Sequence, residues 1–218
     1  MLSENLSGAL RTVAGALQAP VVAALLLMMA GAAFLLGSLA VEAFTERLRL
    51  RERLPELADK LRAGGAAVES VIRGSGLLRR QKAALIEITK HSALTAAMRE
   101  ALAVKLVRSE REHYEGLVRV SDMIVRLGPT FGLLGTLIPL GPGIIALGRG
   151  DTHTLSQSLL TAFDTTIAGL VAAAAALIVS AVRKKWYADY MATLEMIAEC
   201  VLEQLAETEA DALRGDEV

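Results

Sequence analysis

Between Leu155 and Val182 the side chains Gln157, Ser158, Thr161, Asp164, Thr165 and Thr166 stand among leucines and alanines. An ionisable group in so apolar a segment is costly to bury, and such residues usually face a cavity or an ion path. The chemistry on offer is therefore handling of a small ion rather than making and breaking of bonds. No nucleophile and base are paired, and no glycine loop of the phosphate-binding kind is present. His91, His113 and His153 lie far apart and give no zinc spacing. Cys200 is the only cysteine, which excludes an intrachain disulfide and a cysteine metal site. Neither a catalytic residue nor a cofactor nor a resident metal is expected.

Helical geometry sorts these residues. Stepping about 100° per residue from Thr165 puts Gln157, Ser158, Thr161 and Asp164 on one side, with Thr166 at the opposite edge. Leu159, Leu160, Phe163, Ile167, Leu170, Val171, Leu177 and Ile178 take the back, facing lipid or apolar neighbours. Ala168, Gly169 and Ala172 extend the polar side as a stripe of small residues. Asp164 could instead hold a helix interface by hydrogen bonding alone.

The elements that must position this helix follow from composition. Hydrophobic residues make up 53% of the chain while 22% are charged, so the charges are segregated from the apolar runs. A net charge of -1 gives no case for nucleic-acid binding. Residues 1–19 read as an amphipathic surface segment through Leu6, Leu10, Val13 and Leu17, or as a frayed end, and lack the basic start of a signal peptide. Pro20 suits a helix start, and the uncharged stretch to Val41 is long enough to cross a hydrocarbon core of about 30 Å. Residues 20–41 are thus the first span. Residues 42–126 form a polar region of helical pieces punctuated by Pro55, Gly64-Gly65 and Gly74-Ser75-Gly76.

Residues 127–147 are the second span, where Gly128, Gly132, Gly135 and Pro139 place small or kinking groups along one side for helix packing, expected between subunits. Pro139 and Pro142 also leave backbone carbonyls to be satisfied by neighbours or water. A loop at 148–154 leads to the third span, 155–182, and Arg183-Lys184-Lys185-Trp186-Tyr187 marks a basic, aromatic membrane boundary. Residues 183–218 hold a further helix and an acidic tail expected to be disordered. Of 23 Lys and Arg residues only Arg11 and Arg149 fall on one side of the three spans, which orients the chain N-out and C-in in a cytoplasmic membrane. The fold expected is an all-α membrane protein with three transmembrane helices and long cytoplasmic helical extensions.

Three spans, a long polar segment between the first two, GLLGT at 132–136 and TTIAGLVA at 165–172 together resemble the MotA/TolQ/ExbB family of ion-channel subunits. The form GLLGTLIPLGP and the exit KKWYADYMATLE are most similar to a prokaryotic branch found beside a small MotB-like partner. The resemblance implies a homopentamer around a dimer of single-span MotB/TolR/ExbD-like partners, with ion flow driving rotation or mechanical work. It carries the family's span-two threonine onto Thr136 and its span-three threonine onto Thr166, with Gly169 as the reference glycine. Sodium-using relatives are similar in having a threonine pair here, which admits a transient Na+ near Thr136, Thr165 and Thr166. The acidic residue of TolQ and ExbB types falls on Thr161, so Asp164, one turn on, departs from that pattern. The ion pathway expected is Thr136, Thr161, Asp164, Thr165 and Thr166. A non-conducting scaffold recruiting cytoplasmic proteins is the alternative. Three spans without paired inverted repeats argue against a secondary transporter.

Overall fold

The computed structural model describes residues 2–45, 68–91 and 94–215. Five helices run in order: α1 (Leu2–Thr45), α2 (Val68–Gly74), α3 (Arg79–Lys90), α4 (Ala96–Gly148) and α5 (Thr152–Gly215). Among the described residues there is no strand. Three of the helices, α1, α4 and α5, are long and apolar enough to cross a membrane. The protein is all-helical, with three candidate spans.

Continuity is where the structure departs from the sequence reading. Pro20 does not start a helix; it lies inside α1, so residues 1–19 are not a separate surface helix. The loss there is one backbone bond, since Pro20 has no N–H to offer the Ala16 carbonyl, and the apolar residues on both sides keep the helix going. Span two and the polar run before it likewise form one helix, α4, with Pro129, Pro139 and Pro142 inside it. Span three and the segment after Arg183 are one helix too, and the acidic tail is helical as far as Gly215. Charges at 183–185 change the solvent a helix prefers, not its backbone. Pro55 and Gly64-Gly65 lie outside the described residues.

The chain divides into two compact units, Met1–Leu39 with Val118–Val182, and Ala40–Leu117 with Arg183–Val218. In the first, Ala32 and Leu35 of α1 pack on Ile124 of α4 and on Ala172, Ala176 and Val179 of α5. Small residues on α5 let the helices approach closely, which is how membrane helices associate without a hydrophobic driving force. In the second, α2 and α3 pack on each other. Gln81 of α3 is buried and its amide donates to the Tyr190 carbonyl at 2.8 Å. Tyr114, Tyr187 and Tyr190 form an aromatic cluster with ring centroids 4.7 to 6.2 Å apart. Ion pairs join Arg111 to Glu195 at 2.5 Å and Arg183 to Glu42 at 3.1 Å, the second almost buried.

A tight turn fixes the α4–α5 hairpin. Gly150 adopts a left-handed φ of 76°, which costs a Cβ-bearing residue and suits glycine. The Asp151 N–H donates to the Ala146 carbonyl and the Gly150 N–H to that of Leu147, both at 3.0 Å, closing the end of α4 in a Schellman arrangement. Asp151 then caps α5: its Oδ1 accepts from the Thr154 N–H at 3.0 Å and its Oδ2 from the Thr154 hydroxyl at 2.5 Å. With so short a link α4 and α5 must lie antiparallel, and the register of their contact follows.

Candidate functional site

That register produces a seam of glycines. A methyl group placed on Gly128 would sit 2.7 Å from the Gly169 carbonyl oxygen, and one on Gly169 would collide with the Gly128 carbonyl oxygen. Gly132 faces the Thr165 carbonyl and the Thr166 Cα at 3.4 and 3.5 Å from its missing Cβ. Gly135 makes room for the Thr165 side chain, whose Cβ would lie 2.7 Å away, and Gly143 makes room for Ser158. Pro139 is buried along the same line. These small faces meet each other within one chain, so at these residues the contact is not the inter-subunit one expected from sequence.

The seam decides where each polar group points. Thr165 is buried in it, 6% exposed, with its hydroxyl donating to the Thr161 and Ala162 carbonyls at 3.0 Å each. Asp164 and Thr166 stand one residue either side of Thr165 and so leave the seam on opposite flanks, about 200° apart around α5. Asp164 is exposed on the chain's surface; Thr161 and Thr166 are half-buried. Thr136 is half-buried too, one residue past Gly135 on α4. For antiparallel helices a step forward from the seam turns to the same flank on both partners, so Thr136 shares the flank of Thr166. Each side chain also leans toward the N-terminus of its own helix, which brings these two toward each other. The seam thus puts Thr136 and Thr166 on one flank, inserts Thr165 between the helices, and puts Asp164 on the other flank.

Asp164 shares its flank with Gln157, Thr161 and Ala168. Eleven residues further along, Ala175 lies on the same stripe, within about 20°, and packs against the α1 cluster. Val125, eleven residues before Thr136 and so on its stripe of α4, packs against the same cluster, so α1 borders both flanks of the hairpin.

The hydroxyl hydrogens are already committed. Thr136 donates to the Leu133 carbonyl at 2.7 Å, Thr161 to Gln157 at 3.1 Å and Thr166 to Ala162 at 3.1 Å. A hydroxyl whose hydrogen is held by its own helix presents only lone pairs outward. Pro139 and Pro142 offer no N–H to the Gly135 and Ile138 carbonyls, leaving those acceptors without their helical donors. What remains is a set of oxygen acceptors, suited to a hard cation or to water and unsuited to an anion. Among the described residues no cluster of His, Cys, Asp and Glu could hold a metal.

One polar contact escaped the sequence reading. The Ser180 hydroxyl, 2% exposed, donates to Asp122 Oδ1 at 2.5 Å and ties the inner ends of α4 and α5 together. Ser180, eleven residues after Gly169, continues its face of α5, but Asp122, six before Gly128, lies about 120° around α4 from that glycine, so the glycine spacing did not point to it.

No curated protein matches the chain. A protein-family profile does, over residues 75–196, which takes in the second half of the polar segment, all of α4, and α5 as far as residue 196, past the exit from span three. With its glycine seam and threonine flank inside that match, the chain belongs to the MotA/TolQ/ExbB proton channel family.

Proposed function

We propose that the protein is the ion-conducting subunit of a membrane motor complex, lying N-out and C-in in a cytoplasmic membrane. Several copies, five on the family's pattern, would surround a dimer of single-span MotB/TolR/ExbD-like partners. H+ or Na+ would pass along the flank of Thr136 and Thr166. The observation that carries this is the committed hydroxyl hydrogens of Thr136 and Thr166, which leave acceptor oxygens on one flank of the hairpin. Asp164 supports assembly of more than one chain. A carboxylate exposed at the depth of a span cannot face hydrocarbon, so another chain must cover it. Being on the opposite flank from Thr166, it joins the path only where subunits meet.

The test uses the protein reconstituted in liposomes with its partner and an imposed proton or sodium gradient. Thr166→Val keeps the volume and removes the acceptor, and is expected to cut flux by about tenfold with assembly intact. Asp164→Asn is expected to reduce flux, and Asp164→Glu to retain part of it. Wild-type flux in Thr166→Val would refute the threonine path. Wild-type flux in Asp164→Asn would restrict Asp164 to holding helices together, and a chain that assembles normally and passes no ion would favour the scaffold.

A further inference from the structure

The second compact unit holds a cavity of about 290 Å³. It is lined by Glu42, Arg79, Arg80 and Arg183, with Leu117 and Tyr187 among its walls. Glu42 is the first charged residue after span one, and Arg183 the first after span three. The cavity therefore lies at the level where two apolar spans give way to polar sequence. Lipid phosphates occupy that level, and Trp186-Tyr187 is an aromatic pair of the kind that marks it.

Its charge is unbalanced toward the positive. Three guanidinium groups line it against the single carboxylate of Glu42. Arg183 donates to Glu42 at 3.1 Å, and Arg80 to Glu110 at 2.9 and 3.2 Å. The Glu110 hydrogen bond holds the Arg80 pKa above its ordinary value, so that charge is permanent. Glu110 takes two of the five N–H donors of Arg80. Arg79 is exposed and has no acidic partner among the described residues. Arg79 and Arg80 are also the first residues of α3, where unsatisfied backbone N–H groups carry partial positive charge. Leu78, in the N-cap position, has no side-chain acceptor to quench them.

We infer that this cavity binds the phosphodiester of an anionic phospholipid in the leaflet on the basic side of the membrane. Planar guanidinium groups match phosphate oxygens in geometry as well as charge. The volume suits a headgroup, with the acyl chains remaining outside. Basic pockets at this boundary are the usual means by which a membrane protein selects lipid by headgroup charge. Glu42 within the lining favours a singly charged diester over a doubly charged phosphate. The site is separate from the ion path and does not depend on it.

Native mass spectrometry of the full chain, released from nanodiscs of mixed phosphatidylglycerol and phosphatidylcholine, tests this. The wild type is expected to retain phosphatidylglycerol about tenfold in preference, the scale of one charge-assisted hydrogen bond. Arg79→Gln is expected to lose most of that preference, Arg79→Lys to keep part, and Lys185→Gln, outside the cavity, to leave it unchanged. Helical content by circular dichroism confirms that each variant is folded. Equal retention by the wild type and Arg79→Gln would overturn the assignment, as would loss of preference in Lys185→Gln, which would indicate unspecific attraction to the basic boundary. Inorganic phosphate at millimolar concentration is expected not to displace the lipid. Phosphate bound with the lipid absent, and displacing it when present, would overturn the lipid source in favour of a free phosphate.

Discussion

Adding one methyl group to the α4–α5 seam gives a sharp test of the hairpin. In Gly128→Ala the new carbon meets the Gly169 carbonyl oxygen at 2.7 Å and the Ala173 Cβ at 3.1 Å. Comfortable carbon–oxygen contacts begin near 3.3 Å, so the helices must part by about 0.6 Å. A radial gap of that size forfeits about a quarter or more of each dispersion contact along the interface. Overpacking of this kind costs about 1–3 kcal/mol, against about 1 kcal/mol gained by replacing glycine with alanine inside a helix. The same substitution at Gly169 strikes backbone on two sides and is expected to cost at least as much. Two sites serve as controls. Gly31→Ala meets only the tip of Ile124 at 3.5 Å, and Gly116→Ala meets nothing within 4 Å, so both should be neutral or stabilising by up to about 1 kcal/mol. Unfolding in mixed micelles, followed by circular dichroism, ranks the four variants. If Gly128→Ala and Gly169→Ala prove as stable as Gly116→Ala, the close approach of α4 and α5 is wrong.

Further outcomes follow from single side chains. Asp122→Ala leaves the buried Ser180 hydroxyl without its acceptor and is expected to cost about 1–3 kcal/mol in the same unfolding assay. Asp122→Asn, which keeps an acceptor oxygen, should cost clearly less. At the hairpin turn, the hydrogen bond from the Thr154 hydroxyl, helped by its N–H, holds the Asp151 carboxyl below its ordinary 3.8. The depressed folded value means that this cap is at full strength above pH 3.8 and weakens only as pH falls through the lower folded pKa. Titration of the Asp151 carboxyl resonance should therefore show a midpoint under 3.8, moving back up in Thr154→Val.

How much was legible in the sequence depended on what each residue does to a backbone. Three long apolar runs, uncharged but for Asp164, are visible because burying charge in hydrocarbon is costly, and α1, α4 and α5 carry them. Helix ends were harder. Pro20 and the basic run at 183–185 read as boundaries, yet one lost hydrogen bond does not end a helix packed along its length, and charge does not break one at all. The glycine side of span two was plain from its spacing, but spacing alone does not name the partner; the three-residue turn of Arg149, Gly150 and Asp151 does, by folding α5 back onto it. Reading Asp164 and the threonines as a single polar side also hid the difference between a face and its two flanks. Only the position of α4 against Thr165 separates Thr166 from Asp164. Asp122 was missed because span two was started at Leu127 and because it lies off the glycine face, although helix α4 continues past that point.

The central claim is that the threonine flank of the α4–α5 hairpin meets water and ions, while the back of α5 meets lipid or other apolar surface. Thiol accessibility tests it directly. In a Cys200→Ser background, single-cysteine variants Thr136→Cys, Thr166→Cys and Phe163→Cys are reconstituted in liposomes and exposed to a water-soluble methanethiosulfonate reagent. Phe163 is 63% exposed on the chain's surface, so a thiol there is sheltered by its surroundings and not by burial in the chain. The account predicts that thiols at positions 136 and 166 react at least about tenfold faster than the thiol at 163, because the reactive thiolate forms only where water reaches. Equal rates at the three positions, or faster reaction at 163, would contradict it.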